Sequence, residues 1–431
     1  MPATSYRNVT LDNGVLSATI FLPGDYYAST RFDWSSMVGD VRLGNRTFFG
    51  SGSWRQPHDP AWTESGVGLA SEFGCGADGA VCGGASWALD RDEETGEDFP
   101  IANGVLGHDG GVGAPFLKIG VGALVVGSCA DCGVNDTTYK FNSPYRFFAS
   151  PPAWEEDVTA TRVTLRSSAS LGAHGYELEK SYAIVALGGV GSYGVEATTT
   201  LRNSGASRFR TPHYCHNFLT FDGAGIGPGY RVRLPLASDA YDEPGNGTWA
   251  APLGEIGDVR ARRADVRVDV RERLGPSTKV KVTFARDDAA GASYVASGDV
   301  PGDDDRAWVA ASRDGPRPLY DYALYLEAET FSPEPVSLID LAPGEKATWT
   351  EAWAFGTGPE PIVVVGALSP PPALPGLSGG AGDLRGPAAF AAAVAALLAL
   401  VWVGRRGVFA WAFAPRPTTP LGSPPPRRGA T

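Results

Sequence analysis

The stretch that decides the fold is Tyr176-Glu177-Leu178-Glu179-Lys180-Ser181-Tyr182-Ala183-Ile184-Val185. Apolar and polar side chains change places at nearly every step, the period of two expected of a strand with one face in a core. The same alternation recurs at Leu16–Phe21, Phe116–Val126, Thr159–Arg166, Gly194–Leu201, Tyr230–Leu236, Val266–Val270, Lys279–Phe284, Tyr322–Thr330 and Ala347–Phe355. Turn residues punctuate these runs: Asp12-Asn13-Gly14, Asn203-Ser204-Gly205 and Ala342-Pro343-Gly344. Helical periodicity of any length is absent before residue 387. The pattern predicts an all-β chain, one large antiparallel β-sandwich over residues 8–357, with a Gly-rich surface loop at 74–114.

Composition agrees. Of 431 residues, 43% are hydrophobic and 10% aromatic, enough for a sizeable core. Gly (56) and Pro (34) together exceed a fifth of the chain, which suits short strands and turns better than helices. A net charge of −12, with no basic run interleaved with aromatics, disfavours nucleic acid as a partner.

Beyond the sandwich, residues 358–386 are Pro/Gly-rich and are predicted to be a linker. Pro387–Val403 carries no charge and is followed by Arg405-Arg406. That predicts a single membrane-spanning helix over 387–404 and a disordered tail over 405–431. The β domain would then be lumenal or extracellular, with a tail-anchored cytosolic form as the alternative. Asn8, Asn45, Asn135 and Asn246 each begin an N-x-[ST] triplet, whereas the first ten residues lack the apolar run of a signal peptide.

Five cysteines stand at 75, 82, 129, 132 and 215. Cys129-Ala130-Asp131-Cys132 has the spacing of half a zinc site, but no second CxxC completes it. Local disulfides 75–82 and 129–132 are the alternative, leaving Cys215 as a packed thiol.

Two of only five histidines lie in Thr211-Pro212-His213-Tyr214-Cys215-His216-Asn217-Phe218, which has the look of a strand edge. Residues three apart on an extended strand point to opposite faces, so this pair is not expected to share a metal. Carboxylates gather later, at Glu327, Glu329 and Glu334. Glu327 and Glu329 would share one strand face, and Glu334 is stiffened between Pro333 and Pro335.

Several short segments, in order over about 330 residues, resemble the galactose mutarotase-like superfamily of aldose 1-epimerases and related sugar-binding proteins. They are Tyr26–Trp34, Ser71–Gly74, Phe116–Gly122, His216–Phe218, and Ser332–Pro335 followed by Leu341–Gly344. The resemblance implies a β-sandwich acting on or binding a carbohydrate, by acid–base chemistry that needs no cofactor. It implies a histidine that protonates the ring oxygen and a glutamate that removes the anomeric proton. His216, with Phe218 two residues on, fits the acid best, and His213 falls to sugar binding. Glu334 before a proline fits the base, with Glu329 second. Arg31 and Lys118 are implied as contacts to sugar oxygens, Trp34 and Phe73 as stacking faces. Arg208 and Arg210 would have to converge with Arg31 to make a phosphate pocket. Catalysis predicts that His216 faces Glu334 or Glu329 across a cleft as wide as a sugar ring. A non-catalytic carbohydrate-binding domain on the same fold is the alternative.

Overall fold

The alternating run at Tyr176–Val185 lies inside a longer strand, His174–Leu187, hydrogen-bonded along its length to Ser192–Asn203. A computed structural model of the chain describes residues 6–49, 58–74, 90–91, 98–99, 105–187, 192–234, 257–262, 265–274, 280–284, 294–299, 306–314 and 321–360. All of these fall in the first of two units, Met1–Pro371. No helix among them is long and apolar enough to cross a membrane. The predicted span at 387–404, most of the linker and the tail lie outside the described residues, as do Cys75 and Cys82 and much of the Gly-rich insert.

Among the described residues two large antiparallel sheets stand beside two two-stranded ones, and helix is confined to a single 3-10 turn at Trp34–Ser36. The first sheet runs through eight strands, from Asn8–Asp12 through Leu16–Phe21, Val38–Leu43, Leu69–Phe73, Phe209–Asn217, Thr330–Leu341 and Asp321–Glu327 to Val280–Phe284, and a ninth, Arg46–Thr47, pairs with Val38–Leu43 off this path. The second has ten strands, with His174–Leu187, Ser192–Asn203 and Lys346–Thr357 near its middle. They pack face to face. Leu16, Ile20 and Val41 of one sheet meet Val163, Leu165, Val195 and Phe355 of the other in one core cluster. Lys180 falls on the inward phase of its strand, and its ammonium donates to Asp33 at 2.7 Å, both side chains being buried.

Three sequence expectations change. Phe116–Val126 is a hairpin, Pro115–Lys118 and Gly122–Val125, because Gly120 takes a left-handed φ of +75° and turns the chain. A Cβ there would lie 2.5 Å from Asp33 Oδ1. Tyr322–Thr330 is likewise broken: the strand ends at Glu327, Ala328 and Glu329 form a turn, and Glu327 pairs with Thr330. Glu327 and Glu329 therefore do not share a strand face. Finally, the histidine stretch is no edge. Phe209–Asn217 lies at the centre of its sheet, between Leu69–Phe73 and Thr330–Leu341.

Candidate acid–base site

Alternation sends the two histidines of that central strand to opposite sides. His213 faces the second sheet, its ring 4.6 Å from Phe73 and 4.8 Å from Trp349. Arg313 Nη2 donates to its Nδ1 at 3.2 Å, which assigns the proton to Nε2. Burial, with Arg313 and Lys180 nearby, holds His213 well below the usual histidine range. It is a neutral core residue.

His216 faces the other way, toward loops that cover the sheet. Its neighbours come from both flanking strands: Tyr214 pairs with Glu72 on one side and with Val336 on the other. His216 Nδ1 lies 2.8 Å from Glu334 Oε1, and Nε2 lies 3.3 Å from Glu72 Oε2. Both ring nitrogens thus lie beside carboxylate oxygens, which favour the protonated ring, while the donor Arg31 Nη2 also lies 3.4 Å from Nε2. Burial lowers the affinity of His216 for its proton, but Glu334 and Glu72 outweigh burial and raise it above the ordinary value of 6.5. Phe218 stacks on the ring at 5.4 Å and Phe32 meets it edge-on at 5.2 Å.

Glu72 is the hub. Its Oε2 accepts from Arg31 Nε at 3.0 Å and from Tyr214 OH at 2.9 Å, and its Oε1 from Lys118 Nζ at 3.1 Å. Burial alone would push this carboxyl up. Lys118, Arg31 and His216 together overcome that and hold it well below the carboxylate range. Lys118, sealed from solvent, also donates to Tyr139 OH at 2.7 Å. Arg31 lies nearest the surface, its side chain 11% exposed, with Glu64 at 3.8 Å. Its guanidinium is held between the rings of Phe32 and Phe141, 4.8 Å from each.

Each part is fixed by local structure. The Arg31 loop is pinned by Tyr27, whose hydroxyl receives the amides of Arg31 and Phe32 and donates to Thr63 O. The hairpin that turns at Gly120 presents Lys118. Glu334 sits between prolines that could not donate to a ladder, and the pairing with the histidine strand stops at Tyr214–Val336. Side chains take over from the ladder there. Asn217 Nδ2 donates to Pro333 O and to Cys215 O, and Asn217 Oδ1 accepts from Trp353 Nε1. Ser332 Oγ accepts the Asn217 amide and donates to Glu334 Oε1 at 2.8 Å.

Of the residues singled out from the sequence, His216, Glu334, Arg31 and Lys118 meet at this cluster. Others lie elsewhere. Glu329 is exposed in its turn, five residues along the chain from Glu334 and so up to about 16 Å away. Trp34 is buried with its Nε1 donating to Ser29 O, and Phe73 packs in the core beside Trp349. His216 and Glu334 touch instead of facing each other across a ring-wide gap, because adjacent strands bring them side by side on one face. Arg208 and Arg210 both bind Asp340. Glu72 and Tyr214 were missed. Glu72 lies in the Ser71–Gly74 segment, next to Phe73. Cys129 and Cys132 form a disulfide, and Cys215 is free and buried. Among the described residues no group of three metal-ligating side chains is assembled.

No family model matches the chain, and no curated protein does. Similar solved structures include a candidate aldose 1-epimerase from Escherichia coli K12, at 11% identity over 81% of this chain and 99% of that one, TM-score 0.45. Two others are galactose mutarotase-like proteins. The one from Lactobacillus casei ATCC 334 is 10% identical over 81% and 100%, TM-score 0.44. The one from Clostridium acetobutylicum is 10% identical over 82% and 96%, TM-score 0.39. The likeness is to structures named for the family that the sequence segments resemble. At these scores it carries no chemistry across, and the roles below come from this chain's own side chains.

Proposed function

We propose that the cluster is an acid–base site for the anomeric centre of an aldose, interconverting its two ring forms. The observation that carries this is the buried His216–Glu334 pair, with the imidazole Nδ1 2.8 Å from the carboxyl Oε1 on the outward face of the sheet. The two oxygens that exchange protons in mutarotation share one carbon. They lie closer together than a sugar ring is wide, so an acid and a base in contact can serve both from one side.

The Nε2 proton of His216 is the one available for transfer. Its acceptor, Glu72, keeps Arg31, Lys118 and Tyr214 when that contact is given up. Glu334 uses Oε1 for His216 and Ser332, which leaves Oε2 outside both bonds to act as base. His216 gives its proton to the ring oxygen as the C1–O bond breaks. Glu334 takes the proton of the anomeric hydroxyl, and a carbonyl forms at C1. Rotation about C1–C2 and the reverse transfers close the ring in either configuration, returning both protons.

The same contact favours a second reading, a carbohydrate-binding site without catalysis, since acid and base already satisfy each other. Polarimetry on a panel of free aldoses separates the two. The catalytic reading expects acceleration over buffer that falls roughly 100-fold or more in His216→Gln and Glu334→Gln. Calorimetric sugar binding without acceleration gives the binding reading, and neither signal removes both.

A further inference from the structure

We propose that the Cys129–Cys132 disulfide is a reversible redox site for a dithiol reductant, and that it seats the strap covering the Glu72 cluster. The redox step stands on its own, while its effect on catalysis rests on the acid–base reading above. The two cysteines are joined three residues apart; Cys132 is partly exposed, whereas Cys129 is 5% exposed and packs in an aromatic cluster. A disulfide closing so short a loop constrains the unfolded chain less than one closing a long loop. What it fixes is local.

The turn that carries it supports residues 139–145. Ala130 N donates to Pro144 O at 3.3 Å, Asp131 N to Ser143 Oγ at 3.2 Å, and Lys140 Nζ to Asp131 O at 2.6 Å. From that seat two rings reach the cluster. Tyr139 OH accepts from Lys118 Nζ at 2.7 Å, with the ammonium 5.2 Å from the ring centre, and Phe141 lies 4.8 Å from the Arg31 guanidinium. Tyr145 ties down the far end: its amide donates to Thr30 Oγ1 at 3.0 Å, and its hydroxyl accepts from Lys140 N at 2.7 Å. Gly133, Val134 and Asn135, between the disulfide and the strap, are exposed, so the turn can shift there without unpacking a core.

A thiolate of the reductant attacks Cys132 Sγ, the more accessible sulfur, and the S–S bond breaks with Cys129 leaving as a thiolate that takes up a proton. The second thiol of the reductant then attacks the mixed disulfide and releases Cys132 as a thiol. The protein gains two electrons and two protons, and the dithiol becomes a disulfide. Two thiols do not stay at bonding distance, so reduction parts the sulfurs and shifts the turn beneath residues 139–145. Lys118 then loses the Tyr139 hydroxyl and its cover, and Arg31 loses one of its two ring faces.

The test treats the full chain with dithiothreitol under native conditions and counts thiols at 129 and 132 by mass spectrometry. Acylation of Lys118 by a water-soluble amine reagent is then followed. Lys118 should label about tenfold faster after reduction, because labelling needs the strap to open first. Lys180, buried between the sheets, should stay unlabelled in both states. The Cys129→Ser/Cys132→Ser variant should label quickly at Lys118 with or without reductant, which excludes Cys75, Cys82 and Cys215 as the source. Reoxidation with oxidised glutathione should restore the slow rate in the wild type. A bond that resists the dithiol, a Lys118 rate unchanged by reduction, a variant that still responds to reductant, or Lys180 labelling in step with Lys118 overturns the proposal. Mutarotation should fall about tenfold on reduction, and unchanged activity while Lys118 is open overturns the control of the site. If the oxidised protein accelerates no aldose, the acid–base reading fails on its own, and the labelling still decides the redox site.

Discussion

Changing Glu72 to Gln keeps the side chain's shape but removes the one charge that Lys118, Arg31 and His216 all face. Leaving a buried ion uncompensated costs roughly 3–5 kcal/mol. Glu72→Gln should therefore lower stability by about 3 kcal/mol in urea denaturation, and adding Lys118→Met should recover part of that loss. Strict additivity of the two changes would show that they do not interact. His216 makes a spectroscopic prediction. Its NMR titration midpoint should lie above 6.5 in the wild type and move down in Glu334→Gln, because Glu334 is the largest influence raising it. His216 and Glu334 could be found from sequence since rare residue types in stiff settings draw attention. Glu72 lies within the Ser71–Gly74 likeness, but nothing in its spacing shows that a loop at 26–34 and a hairpin at 115–125 will cover it and make it the hub.

At the scale of the strand, the prolines that stiffen Glu334 also interrupt the sheet, and Asn217 repairs the interruption. Asn217→Ala would strip partners from Pro333 O, Cys215 O and Trp353 Nε1 at once. Each buried polar group left unpaired costs about 1–3 kcal/mol, so a loss on the order of 3 kcal/mol is expected. The urea midpoint should fall while the m-value holds. A larger effect on mutarotation than in an equally destabilised core variant would show that the repair also sets the His216–Glu334 distance. The strand pattern was legible where one face is buried, as at Leu16–Phe21 and His174–Leu187. It failed where both faces are covered: Phe209–Asn217 and Thr330–Leu341 are buried on nearly every residue and show no alternation. The hairpin at Gly120 was read as one strand because its apolar run continues across the turn.

For the whole molecule, these two carboxylate and histidine shifts define a pH window. Glu72 is held below its ordinary 4.5, so its contribution is full above 4.5 and is lost as pH falls from there toward its folded value. His216 is held above 6.5, so its contribution is full below 6.5 and is lost as pH climbs through its folded value. Both operate fully between about 4.5 and 6.5. Lys118, which burial holds below 10.5, acts in the opposite sense on the alkaline side. The informative quantity is therefore the difference between wild type and His216→Gln across pH 6–9. That difference should shrink as pH rises, and a constant difference would show that folding leaves the proton affinity of His216 unchanged.

One consequence of the Glu72 hub concerns descent. A carboxylate shared by Arg31, Lys118, Tyr214 and His216 makes each of those positions depend on the others. A lineage that loses the charge at 72 first passes through a chain with three buried cations and too few anions. Routes away from this site should therefore begin at the periphery, with Lys118 lost before Glu72. Among relatives of this chain, positions 31, 72, 118 and 216 should change as a set, while the neighbouring core residues Phe73 and His213 drift on their own.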